Sequence, residues 1–377
     1  MIPITPRGFK DVLPEEALWR EAIINKVQAT FASWGYTPIE TPSLEVLSVL
    51  QLGGELSKTP FRLFDSDGAL LVLRPDVTLP IARMVASRLE KVDEPLRFRY
   101  TQPVFREEES MRGQAREYTQ IGIELIGEDG ASSDAEVILL MVDALRACGL
   151  KEFTIAICTV GVLRELLSLI VKQGEATQEW QAEVLKACHQ NNFVEVANLV
   201  RESGISRRYS EALIELLEIS GKDEAIQRCK NLVEPLGCSD GLDNLARTYA
   251  VITELGMADF VRIDFSIMSQ FDYYTGLVLE AYAPQVGVAL GSGGRYNHML
   301  EAFGTSAAAA GFAFSLDRVM LALLEQGMTA TETKVEQDYC FVACDESDPA
   351  SAFHEASRLR ASGKQVLIRK SGQRGRG

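Results

Sequence analysis

Apolar residues recur along this chain with two periods. Over residues 15–35, EEALWREAIINKVQATFASWG, the residues Leu18, Ile23, Val27 and Phe31 read as one face of a helix, and Gly35 suits its C-terminal stop. YTPIETPSLE (36–45) reads as extended chain broken by Pro38 and Pro42. FRLFDSDGALLVLRPDVTLPIARMVASRL (61–89) predicts a hairpin turning at Ser66-Asp67-Gly68, then a helix after Arg74-Pro75. LRFRYTQPVFREEESMRGQAREYTQIGIELIG (96–127) predicts two strands around a charged, glycine-containing loop, and DAEVILLMVDALRACG (134–149) a helix ending at Gly149. From about 160 to 256 the alternating signal fades. Segments such as VLRELLSLIVKQ, WQAEVLKACHQ and YSEALIELLEIS predict a helical insertion. Strands return with FVRIDFSIM (260–268) and YYTGLVLEAYA (273–283). GTSAAAAGFAFSLDRVMLALLEQG (304–327) reads as a strand entering a long helix.

The pattern divides the chain into a core domain, 1–325, carrying the insertion, and a segment 326–377. That segment starts with a polar linker, TATETKVEQ, and continues as strand–helix–strand to QVLIRK. A βαβ unit of this size cannot bury both faces of its sheet alone. The last stretch, RKSGQRGRG, is basic and glycine-rich and is expected to be disordered.

Composition narrows the function. Of 377 residues, 46% are hydrophobic and 24% charged, as in a soluble globular protein. The net charge of −15 argues against a general nucleic-acid binder, though a local basic patch stays open. There are seven cysteines and no CxxC pair, so reduced thiols of a cytoplasmic protein are expected. The N-terminus has no apolar signal region, and no run approaches the ~20 apolar residues of a membrane span. His189, His298 and His354 are scattered, which speaks against a metal cluster or a Ser–His–Asp triad. There is no Walker A lysine motif and no GxGxxG after a strand.

Strand alternation gives the sharpest chemical inference. In EYTQIGIELIG, Thr119, Ile121, Ile123 and Leu125 point one way, and Tyr118, Gln120, Gly122, Glu124 and Ile126 the other. The second face places an amide and a carboxylate together across a glycine. It is either a solvated face or a pocket floor, and the glycine and flanking tyrosine favour the floor. Arg106, in REEES, is either part of a solvated hairpin tip or a phosphate or carboxylate clamp, since a guanidinium binds such groups in bidentate fashion. In LRPDVT, Asp76 and Thr78 stand at a helix start, as an N-cap or as a carboxylate for an α-amino group. DYYTG (272–276) and GGRYN (293–297) add phenols and glycines where chain approaches chain or ligand closely. His298 reads as a surface or packing residue.

Taken in order, RGFKDVLPEE, WGYTPIETPSLE, LRPDVT, FRYTQPVFREEE, REYTQIGIELIG, DYYTG, GGRYN and GFAFSLDR resemble the class II histidyl-tRNA synthetase catalytic core, over roughly residues 5 to 325. The resemblance implies an α+β fold: a mostly antiparallel sheet flanked by helices, and a dimer built on the first motif. It implies that Asp76, helped by Thr78, meets a ligand α-amino group. Gln120 and Glu124 then line an amino-acid pocket, Tyr274 and Tyr296 contact an imidazole, and Tyr273 supports them. Arg106, Glu108 and Arg318 match the nucleotide-binding motifs.

The departures carry information too. Synthetases of this type have an arginine in an RGLDYY stretch, whereas here the stretch is SQFDYY and the position is Ser269. Losing a positive charge aimed at developing negative charge removes a main source of transition-state stabilisation. Gln114 and Thr119 stand where the synthetase pattern has arginine and histidine, and the C-terminal anticodon-binding domain is reduced to one βαβ fragment. LRPDVTLPIAR and these losses are similar to the paralogous family that serves as regulatory subunit of ATP phosphoribosyltransferase. That resemblance implies a non-catalytic subunit and L-histidine as feedback ligand, with no cofactor. It implies a homodimer within a hetero-octamer with the short catalytic subunit, at the first step of histidine biosynthesis, with tRNA binding not expected. Two alternatives are an active amino-acid-activating enzyme of the histidyl-tRNA synthetase type and a stand-alone sensor of uncharged tRNA.

Overall fold

The structure, a computed structural model, describes residues 4–53, 60–89, 94–107, 115–267, 273–328 and 339–370. The chain forms two compact units, Met1–Met328 and Thr329–Gly377. The first begins with α1 (Pro14–Ser33), which has proline in its opening turn, where no amide donor is needed. Its buried row is Trp19, Ile23, Val27 and Phe31. Leu18, expected in that row, is 48% exposed. The five-residue step from Leu18 to Ile23 rotates about 140° off the face, whereas the four-residue step from Trp19 keeps the row.

After β1 (Thr37–Pro38), a small antiparallel sheet is built from β2 (Leu44–Val46), β3 (Arg62–Phe64) and β4 (Leu70–Leu73), in the order β2-β4-β3. The short helix α2 (Leu47–Leu50) follows β2. The hairpin between β3 and β4 turns where the sequence suggests. Gly68 takes a φ of +88°, and the Asp67 carboxylate accepts from the Ala69 amide at 2.9 Å. Next comes α3 (Thr78–Arg88).

The main sheet starts with two ten-residue strands, β5 (Leu96–Phe105) and β6 (Glu117–Ile126), paired antiparallel from Leu96↔Ile126 to Phe105↔Glu117. α4 (Ala131–Cys148) packs on α1 and ends at Gly149, whose φ of +106° supplies the left-handed cap. β7 (Thr154–Thr159) leads into the insertion. This comprises α5 (Gly161–Lys172), α6 (Gln178–His189), α7 (Phe193–Ser203), α8 (Arg207–Glu218), β8 (Ser220–Gly221), α9 (Asp223–Val233) and α10 (Leu242–Glu254). The insertion is helical as expected, except that β8 returns an edge strand to the main sheet. β9 (Val261–Asp264), β10 (Leu277–Tyr282), β11 (Gly291–Arg295), β12 (Ala309–Ser315) and α11 (Leu316–Glu325) complete the unit.

Among the described residues the main sheet has nine strands in the order β1-β5-β6-β12-β11-β10-β7-β9-β8. Only β1–β5 and β7–β9 pair in parallel, so the sheet is mixed and mostly antiparallel. Its central strands, β6, β12, β11 and β10, come from distant parts of the chain and bring their residues to one floor.

The second unit is β13 (Cys340–Cys344), α12 (Pro349–Ala361) and β14 (Val366–Lys370), with the two strands parallel. The seven cysteines are unbridged. Five are buried, and Cys340 and Cys344 are half-buried. No helix among the described residues is long and apolar enough to cross a membrane.

Candidate functional site

The floor of the main sheet carries a cavity of about 440 Å³, within the range of small-molecule sites. Seven residues singled out from the sequence as ligand contacts meet there: Asp76, Thr78, Gln120, Glu124, Tyr273, Tyr274 and Tyr296. Arg106 and Arg318 line the same cavity. Glu108, Ser269, Asp272 and Gln114 lie outside the described residues.

β6 supplies the floor by plain alternation. Ile121, Ile123 and Leu125 are fully buried on its far side. Tyr118, Gln120 and Glu124 line the cavity, but Gly122 does not. The room left by that glycine is taken by Tyr100 of β5, because a Cβ at 122 would lie 2.5 Å from the Tyr100 hydroxyl oxygen. Glu124 is buried. Its Oε1 accepts from the Thr78 hydroxyl at 2.7 Å and from the Tyr100 hydroxyl at 3.4 Å, and its Oε2 accepts from the Tyr296 hydroxyl. β12 makes room on the opposite side, since a Cβ on Gly311 would sit 2.1 Å from Glu124 Oε2. Gln120 Oε1 is buried with no hydrogen-bond partner among the described residues, an acceptor free for a ligand N–H.

Asp76 fits both readings of LRPDVT. Its Oδ1 accepts the Leu79 amide at 2.9 Å, capping α3, and the residue also lines the cavity. Burial pushes its carboxyl up, opposed by the Leu79 amide and by the charge of Arg106. Burial also pushes the Glu124 carboxyl up to about 7, opposed by the hydroxyls of Tyr296 and Thr78, while nearby Asp76 adds to the rise. Neither carboxylate is ion-paired with a basic side chain among the described residues.

The phenols close the wall. Tyr273 packs against Tyr274 at a centroid distance of 4.9 Å and edge-on to Tyr296 at 6.0 Å. Tyr273 and Tyr274 precede β10 rather than lying in it, so YYTG is an approach to a strand and not part of one. The ring of Tyr274 fits because a Cβ on Gly294 would lie 2.6 Å from it. In GGRYN the neighbours part company. Tyr296 turns to Glu124, while Arg295 is buried against Asp134 at 2.7 Å and donates to Ser133 Oγ at 2.7 Å. His298 is on the surface beside Glu301.

Arg106 donates through Nε to the Pro75 carbonyl at 3.0 Å, beside Asp76, and lies over the Tyr118 ring. Arg318 is exposed and donates to the Ala289 carbonyl at 2.7 Å. The cavity therefore holds buried carboxylates and guanidinium groups together. Such a lining suits a ligand that carries both cationic or N–H groups and an anionic group.

Sequence reasoning did not find Tyr100, Glu280, Tyr282 or Asn191. Glu280 and Tyr282 line the cavity from β10 and are hydrogen-bonded to each other. Asn191, with a φ of +53°, brings the α6–α7 turn of the insertion to the same cavity. Only the alternation of LEAY pointed to the β10 pair. Nothing local in the sequence pointed to Asn191.

Fold and site together define a class II synthetase-like protein, and residues 8–319 match the histidyl-tRNA synthetase family. An ATP phosphoribosyltransferase regulatory subunit from Geobacillus sp. (strain WCH70) is 36% identical over 369 residues, covering 96% of this chain and 90% of that protein. The corresponding regulatory subunit of Bacillus subtilis (strain 168) is 37% identical over 320 residues, covering 84% and 81%. The crystal structure of an ATP phosphoribosyltransferase regulatory subunit/histidyl-tRNA synthetase from Bacillus halodurans superposes with a TM-score of 0.87 at 31% identity, covering 100% of this chain and 95% of the other. The chain belongs to the histidyl-tRNA synthetase-like family of ATP phosphoribosyltransferase regulatory subunits.

Proposed function

We propose that this chain is the non-catalytic regulatory subunit required by a short-form ATP phosphoribosyltransferase catalytic subunit, and that L-histidine in the cavity is its feedback signal. The subunit acts in the cytoplasm, as a homodimer within a hetero-octamer. The relatives' shared identity supports the regulatory role over an amino-acid-activating one.

The observation that carries the ligand reading is the pair of buried carboxylates, Asp76 and Glu124. They lie in one cavity among Gln120, Tyr273, Tyr274 and Tyr296, and neither is ion-paired with a basic side chain among the described residues. A zwitterion with an imidazole side chain offers N–H groups to both. Its carboxylate can face Arg106 or Arg318, which line the same cavity. Feedback then requires histidine to favour one assembly conformation by differential affinity.

Reconstitution tests the proposal. The purified chain is mixed with a short-form catalytic subunit from the same genome, and phosphoribosyl-ATP formation is followed with and without histidine. Activity that depends on this chain and falls with added histidine is the expected outcome. Activity indifferent to both removes the regulatory reading.

A further inference from the structure

Tyr100 does not line the cavity, yet it bears on the acid that does. It sits on β5, 2% exposed, opposite Gly122 in the register and next to Glu124 on β6. Its hydroxyl reaches Glu124 Oε1 through space that only a glycine at 122 leaves open. With Thr78 and Tyr296 it makes three hydroxyl donors around one buried carboxylate. Donors aimed at the charged form favour that form and fix its direction.

The other groups facing Glu124 do not replace this help. From the start of α3 comes Asp76, a like charge, beside Thr78. Tyr273 and Tyr274 stand before β10, and Tyr296 after β11. Tyr36 acts from beyond β5 with its own hydroxyl bound to Glu136 at 2.8 Å. β12 brings only Gly311. The cations of this region, Arg106 and Arg74, act on Asp76.

We infer that Tyr100 is a positioning residue of the site: from behind the cavity wall it orients Glu124 and keeps its carboxyl ionisable for a ligand N–H or cation. The inference rests on the ligand reading above and adds a residue to it. Tyr100→Phe keeps the ring and deletes one donor. The neutral form of Glu124 then gains, and its titration moves up by less than about one pH unit, since the 3.4 Å bond is the longest of the three.

The test reads Glu124 directly in the ligand-free chain. The infrared band of protonated carboxyl is titrated, and the component missing in Glu124→Gln is assigned to Glu124. In Tyr100→Phe its midpoint is expected to rise measurably, by less than about one pH unit. A ring-fluorinated tyrosine at 100 keeps the shape, is a stronger donor, and is expected to lower the midpoint. That second variant carries the test should Tyr100→Phe fail to fold. A midpoint unmoved by either change overturns the inference. Histidine binding to the unaltered chain is measured separately by calorimetry. Midpoints that move in a chain that binds no histidine support the positioning role and sink the histidine reading. Tight binding with unmoved midpoints does the reverse.

Discussion

Burial lifts the Glu124 carboxyl from its ordinary value of 4.5 to about 7, against the pull of the Tyr296 and Thr78 hydroxyls. A carboxyl raised by folding costs nothing while it is protonated in both states. Its penalty appears above the unfolded value and grows as the pH rises towards the folded one. Fully developed, this amounts to roughly 3 kcal/mol. Glu124→Gln removes the titration. In the ligand-free chain the stability of the Gln variant relative to the native one is expected to rise between about pH 5 and about pH 8, read from urea midpoints. A difference flat across that range would mean that Glu124 does not titrate there. At this scale much of the site was legible. The two-residue period of β6 put Gln120 and Glu124 on one face before any tertiary contact was known. The role of Gly122 was not legible, because what fills its space is set by cross-strand register with Tyr100, and register is a property of two strands.

At the scale of elements, Arg295 is the brace that ties β11 to the helices. It is buried, donates to Asp134 Oδ1 at 2.9 Å and to the Glu128 carbonyl at 3.0 Å, and lies 3.1 Å from Asp129. Asp134 in turn accepts from Asn244 of α10 at 2.6 Å. α4, α10 and β11 thus meet at one buried carboxylate. Asp134→Ala leaves the guanidinium with the exposed Asp129 as its only carboxylate among the described residues, and is expected to destabilise the fold by about 3 kcal/mol, since breaking a buried pair strands a charge. Denaturant unfolding checks this, and a loss under about 1 kcal/mol would mean that Asp129 takes over. The elements themselves were readable where one period ran long enough: α1, the β3–β4 hairpin, β5 and β6, and the β12–α11 junction. β8 was missed, since two residues carry no period. The brace was missed as well, since GGRYN as a string does not say that its arginine and its tyrosine part to opposite sides.

At the scale of the whole molecule, the unmet surface of the β2-β4-β3 sheet matters most. Leu44, Val46 and Leu63 are exposed, and Phe64 is 81% exposed. Among the described residues β3 pairs only with β4, which leaves its outer edge without a strand partner there. An apolar edge of this kind calls for a cover. We propose that the cover is a second copy of the chain, because family resemblance places the dimer contact on the first motif, whose extended stretch WGYTPIETPSLE runs into β2. Burying one phenylalanine contributes roughly 1.5–3 kcal/mol, and each 1.4 kcal/mol is tenfold in affinity. Phe64→Glu replaces that gain with a buried charge. The self-association constant of the isolated chain is therefore expected to weaken by at least about tenfold in sedimentation, at unchanged helix content. The isolated chain matters here, because the catalytic subunit is the competing occupant. A chain that stays dimeric as Phe64→Glu but no longer joins the catalytic subunit would assign this sheet to the partner and leave the homodimer contact elsewhere on the core.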